Sequence, residues 1–132
     1  MKDRKMKERI FVYCTFVIII LTACAIRPTP EQMASADYGS YPDNYEDIIR
    51  NHYSKTLFDP YSAVYTFGRP QRAWNGLGGT IFGWAVCGTI NAKNRFGGYV
   101  GAKPFFALIR YGKVEREYTE IMAEGLCKNI PR

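Results

Sequence analysis

The chain lacks most of what common catalytic and ligand-binding chemistries need. It holds one histidine, His52, and four cysteines with no CxxC or HxxxH spacing, so no zinc ligand set can be assembled. There is no G-x-S-x-G, and a lone histidine far from any marked serine leaves no triad pattern. The glycine run Gly76-Leu77-Gly78-Gly79 misses the third glycine of a dinucleotide fingerprint and the Lys-Ser/Thr of a P-loop, and it precedes a strand rather than a helix. No Lys/Arg run follows a phosphate backbone, which argues against a nucleic-acid partner. These absences lead to the expectation of a protein that is not an enzyme and carries no cofactor or metal.

What is present begins at the front. Five basic residues (Lys2, Arg4, Lys5, Lys7, Arg9) precede an apolar run over residues 10–21, followed by small residues, which is the pattern of a secretory signal peptide. The ending Leu21-Thr22-Ala23-Cys24 resembles the lipobox of bacterial lipoproteins. That resemblance implies removal of residues 1–23, lipidation of Cys24 and anchoring in a membrane through two or three acyl chains, which bind stably where one does not. With Ala25 rather than Asp after the cysteine, it also implies an outer-membrane lipoprotein facing the periplasm. Two other readings stand beside it. Ala23-Cys24-Ala25 is also a small-x-small cleavage site, and residues 10–26 are at the short limit for an uncleaved anchor.

Removing the leader changes the charge argument. The chain has 18 basic and 12 acidic residues; residues 1–23 take five and two of them, leaving 13 and 10. Much of the basic character thus belongs to the leader. If Cys14 leaves with the signal and Cys24 is acylated, Cys87 and Cys127 remain, and two cysteines in an oxidising compartment usually pair. The alternative is that both stay reduced as small buried hydrophobes.

Along the mature chain, residues 24–42 read as a lipidated, flexible tether. Prolines at 28 and 30 favour extended backbone and no apolar period is visible. Tyr38 and Tyr41 could dock on the domain or a partner, but a solvated linker is the default. A single domain is expected over residues 43–132. It opens with a helix at 43–57, where Asp43 and Glu46 have capping-box spacing. The stripe Tyr45, Ile48, Ile49, His52, Tyr53 marks its inner face, and His52 on that stripe reads as a partly buried core residue. Strands follow at 62–67, 81–91, 103–111 and 114–118, with an irregular glycine-rich stretch at 69–79 and a short helix at 119–127. The expected fold is α+β, a small two-layer domain with one disulfide: an N-terminal helix packed on an antiparallel three- to four-stranded meander. Glu115, Glu117, Glu120 and Glu124 read as a solvated face.

The densest segment runs from Gly83 to Gly101. Asp59-Pro60-x-Ser62-Ala63, then Gly-Trp-x-Val-Cys-Gly-x-Ile-Asn-Ala-Lys-Asn-x-Phe-Gly-Gly-Tyr-x-Gly over residues 83–101, resembles a widespread, largely uncharacterised small domain of bacterial and phage envelope proteins. The likeness covers about residues 44–114 and implies a domain and a compartment, with no activity attached. Physically, residues 91–101 form a long hairpin connection in which glycines allow positive φ and asparagines bond their own backbone. Asn91, Lys93, Asn94, Arg95, Phe96 and Tyr99 are the candidate binding residues, as basic and aromatic groups on a shaped loop. The bland alternative is that Phe96 and Tyr99 fold back to cap the core. The function expected is binding of another envelope protein or assembly; the alternative is a module for peptidoglycan or another glycan.

Overall fold

The structure, a computed structural model, describes residues 27–76 and 79–130. The leader and Cys24 lie outside the described residues. The elements are α1 (Pro30–Ser35), α2 (Tyr45–Tyr53), β1 (Asp59–Phe67), β2 (Gln71–Asn75), β3 (Ile81–Lys93), β4 (Lys103–Arg110), β5 (Lys113–Thr119) and α3 (Glu120–Lys128). Two units separate along the chain, residues 1–34 and residues 35–132. In the first, Thr29 and Gln32 form a capping box at the start of α1. The Thr29 N–H donates to Gln32 Oε1 at 2.8 Å and the Gln32 N–H to Thr29 Oγ1 at 3.2 Å.

The second unit is the expected α+β domain with an antiparallel sheet. β3, 13 residues long, pairs with β4 on one side and with both β1 and β2 on the other. β1 and β2 run in the same direction along β3, with Phe67 opposite Gly88 and Gln71 opposite Ala85. They are one strand interrupted at residues 68–70, where the Gly68 N–H still donates to the Cys87 carbonyl at 2.7 Å and Pro70 has no N–H to give. β2 therefore lies inside the stretch expected to be irregular. Alternation of its side chains is weakened by the arginine and glutamine it carries, and its strand character comes from the partner it pairs with. The β4–β5 connection is a two-residue turn in which Tyr111 (φ 51°) and Gly112 (φ 74°) are both left-handed, the geometry of a type I′ hairpin.

Successive residues of β4 alternate between two cores. Phe105, Ala107 and Ile109 join Val86 and Ile90 under Ile49 and Tyr53 of α2, while Phe106 and Leu108 join Ala85 under Ala123 of α3. The sheet is thus covered on both faces, and α3 adds a layer to the expected two. The inner stripe of α2 is as its spacing predicts, but the helix begins at Tyr45. Its N-cap is Asn44, with no side-chain cap bond, so the Asp43–Glu46 box does not form. His52 is half-buried, and its Nε2 lies 2.8 Å from Glu117 Oε2 on β5, which ties α2 across the sheet. Glu115 and Glu120 are also paired, with Lys113 at 3.0 Å and Lys103 at 2.6 Å, so three of the four carboxylates expected to be merely solvated have side-chain partners.

Cys87 on β3 and Cys127 on α3 form a disulfide across 40 residues of sequence. It fastens the C-terminal helix to the central strand, and closing a loop of that length is worth about 4 kcal/mol in the chain-entropy model. Replacing Cys87 by Ala is expected to lower unfolding stability by about 2–4 kcal/mol under oxidising conditions, read by denaturant titration. Equal stability with and without reductant would remove this role for the bridge.

Candidate functional site

The hairpin connection between β3 and β4 is built by its asparagines. Asn94 Oδ1 accepts from the N–H groups of Phe96 (2.9 Å) and Gly98 (3.2 Å). The Asn94 backbone closes the turn with Gly98 O at 2.9 Å, and the Gly97 N–H donates to Asn94 O at 3.0 Å. Gly97 takes φ 80°, a left-handed conformation that a Cβ would strain. Further along, Asn91 Oδ1 accepts from the Gly101 N–H at 3.0 Å and pins the returning chain to β3. Asn91 and Asn94 thus shape the loop, and their side-chain oxygens are spent on it.

The other four candidates divide by exposure. Lys93 is partly buried; its N–H donates to Ser62 Oγ at 3.2 Å, and its ammonium lies 5.5 Å from the Tyr99 ring. Tyr99 leans across β1 and donates its hydroxyl to Ser62 O at 3.1 Å, leaving half its surface free. Arg95 is exposed, and Phe96 is 89 % exposed at the tip. Neither Phe96 nor Tyr99 caps the core. Val64 of β1, opposite Asn91, and Val100 are also more than half exposed. Val64 escaped the sequence reading because a valine in a strand reads as core until the register shows which neighbour covers it.

The two outer strands of the sheet differ. β5 carries Lys113, Glu115, Arg116 and Glu117 within seven residues, charges that discourage a further strand from pairing. After Asp59, β1 carries none. It borders the hairpin tip as an uncharged edge with Tyr61 wholly exposed.

At the opposite end of the sheet, residues 37–41 depart from the tether expected of them. The Trp84 Nε1–H donates to Gly39 O at 3.0 Å, and Tyr41 packs edge-on to the Trp84 ring at 5.0 Å. Tyr38 stands edge-on to Phe82 at 5.6 Å, and the Arg72 guanidinium lies over Tyr38 at 5.3 Å and Trp84 at 5.6 Å. Asp37 accepts from Arg110 at 3.1 Å and from the Tyr111 hydroxyl. The reason for the departure is aromatic surface. Phe82 and Trp84 project from β3 beyond the reach of α2, and the tyrosines of this strap cover them.

Among the described residues no three His, Cys, Asp or Glu side chains converge as a metal site, and no helix is long and apolar enough to cross a membrane. Asp37 is electrostatically coupled to the β4–β5 turn. The Tyr111 hydroxyl first, then the Gly39 N–H and Arg110, hold its carboxyl below its ordinary 3.8. A lowered folded-state value contributes stability at pH above about 4 that is lost as pH falls through the folded value. Acidification from about pH 5 to pH 2 is therefore expected to lower the hydrogen-exchange protection factors of residues 36–42, corrected for the intrinsic pH dependence of exchange, before those of the sheet, and Asp37→Asn to produce the same loss of protection at pH 7. Uniform exchange across strap and sheet at every pH would refute this.

No protein-family model matches the sequence, and neither a curated protein nor a solved structure matches it significantly, so the chain's function is argued from its own residues.

Proposed function

We propose that this protein is a non-catalytic lipoprotein of the bacterial cell envelope, of the outer-membrane type. In this reading it is anchored through lipid on Cys24 and binds another envelope protein or assembly through the tip of the β3–β4 hairpin. The observation that carries the reading is the opposition of two features along β3. The chain enters the domain at the strap, clasped to Trp84 and to the Arg110–Tyr111 turn. Phe96 and Arg95 stand beyond the other end of the same strand. From Trp84 to Lys93 the strand covers about 30 Å at about 3.3 Å per residue. In this reading the tip lies about that far from the point where the chain enters the domain and presents Phe96 and Arg95 to a protein partner.

The shape of the loop supports binding as well. Four hydrogen bonds involving Asn94 set the turn before any partner arrives, so little ordering entropy remains to be lost on association. An exposed aromatic flanked by arginine has the composition of an interface anchor, and Tyr99, Val64 and Val100 are each about half exposed in addition. His52, the one candidate for acid–base work, is engaged by Glu117 and serves to join α2 to β5.

Phe96→Ala is expected to reduce in-cell crosslinking to the partner at least tenfold, read by affinity purification and mass spectrometry. Because the side chain is 89 % exposed, stability should change by less than about 0.5 kcal/mol. An unchanged crosslinking pattern would overturn the role of the tip. The anchor is tested separately: Cys24→Ser is expected to abolish metabolic labelling with palmitate and release the protein from membranes. Continued labelling would place the lipid elsewhere or remove it from the account.

A further inference from the structure

An open groove of about 500 Å³ lies between α2 and the outer strand β1, within the roughly 300–1,000 Å³ of small-ligand sites. Its two walls differ in chemistry. The helix wall is Asp47, Arg50, Asn51 and Ser54, which fall at i, i+3, i+4 and i+7 and so form one polar stripe along α2. The strand wall is Pro60, Tyr61 and Tyr65, apolar rings in succession.

We propose that this groove is a saccharide-binding site, in which the Tyr61 ring packs on the C–H face of a sugar and the α2 stripe hydrogen-bonds its hydroxyls. A pyranose presents just these two surfaces, an apolar face of axial C–H groups and a rim of donor–acceptor hydroxyls. Planar side chains match the rim best. A carboxylate accepts from two neighbouring hydroxyls, an amide both donates and accepts, and a guanidinium donates through its fork. Among the described residues, Asp47 and Asn51 have no side-chain partner of their own, so both are free to serve. Arg50 is pre-positioned. Its guanidinium lies 4.8 Å from the Tyr65 ring centroid and 5.1 Å from that of Phe67, and Glu46 holds it at 3.8 Å. Tyr61 is 100 % exposed on a strand, and among the described residues no packing employs it. A large aromatic left wholly in water beside the uncommitted side chains of Asp47 and Asn51 is the arrangement a carbohydrate satisfies and an apolar ligand does not; the Ser54 hydroxyl already donates to the Asn51 carbonyl at 2.8 Å and keeps only its acceptor capacity.

The mixed signs of Asp47 and Arg50 speak against a strongly charged ligand and for a neutral or weakly ionic one. A glycan chain of N-acetylated sugars, whose amide and hydroxyl groups carry no formal charge, fits that balance. The groove is distinct from the hairpin tip and does not depend on the protein-binding reading.

The test is a titration of the full-length, ¹⁵N-labelled protein in detergent micelles, followed by amide shifts. The probes are a chitin trisaccharide and peptidoglycan glycan strands stripped of peptide, the two separating a general sugar site from one for cell-wall glycan. Saturable shifts centred on residues 47–54 and 60–65 are expected with one or both. Tyr61→Ala should weaken binding at least tenfold and Tyr61→Phe should preserve it, since stacking needs the ring and not the hydroxyl. Phe96→Ala should leave the titration unchanged, so failure of the tip and failure of the groove are read independently. No saturable shift up to about 10 mM, where an affinity would be worth under about 3 kcal/mol, would overturn the proposal. So would shifts confined to residues 94–99, or loss of a protein crosslink on Tyr61→Ala with sugar titrations flat, which would make the groove a polypeptide site.

Discussion

Phe105 reaches the centre of the core because residue 88 has no side chain. A Cβ built on Gly88 would stand 2.0 Å from the Thr66 carbonyl oxygen and 2.8 Å from the Phe105 ring. The contact joins three strands, since Phe67 on β1 and Phe105 on β4 both pair with Gly88 on β3. Over this point α2 sets Tyr53, whose ring meets Phe105 at 5.8 Å, while Phe67 meets Phe105 from the other side at 6.0 Å. Burial of Tyr53, with the Glu117 charge nearby, pushes its hydroxyl well above the usual tyrosine range. A side chain at 88 would have to displace either a strand backbone or a fully buried aromatic, and interiors packed to crystal density have no slack for that. The seat of α2 follows from this contact, and with it the wall of the groove.

The same strand organises the periphery. β3 is long enough to be paired on both edges at its middle and to project at both ends. One end carries Phe82 and Trp84 past the reach of α2, where the strap covers them; the other runs into the asparagine-shaped hairpin. A chain that enters at one end and presents its exposed aromatic at the other is polarised by the length of one strand. The disulfide holds α3 to the same strand on the opposite face, so both helical layers are referred to β3.

The inner stripe of α2 and the limits of β3, β4 and β5 were legible because a regular period reports a buried face wherever one partner covers it. The shaping of the hairpin was legible too, as asparagine and glycine act on their own backbone. β2 was not. Gln71-Arg72-Ala73-Trp74-Asn75 has little strand preference, and only the register with β3 makes it one. In the N-terminal segment a local signal existed and was outweighed by the prolines around it. Thr29-Pro30-Glu31-Gln32 has both the Thr-x-x-Gln spacing of a capping box and proline at the first helical position. The Asp43–Glu46 pair shows the converse, a correct spacing one residue from where the helix starts.

By itself the sequence determined what depends on near neighbours or on simple counting: the class of fold, the inner face of α2 and the turn residues of the hairpin. The tertiary structure alone decided which surfaces stay free. Tyr38 and Tyr41 pack edge-on to Phe82 and Trp84, whose indole grips the Gly39 carbonyl 45 residues away, and Tyr41 still keeps 45 % of its surface exposed. Tyr61, in the same composition of aromatics, stays in water because none of the described residues lies over it. Aromatic side chains gain from any apolar neighbour without regard to sequence distance, so which of them are covered is settled only when the strands and helices have taken their places.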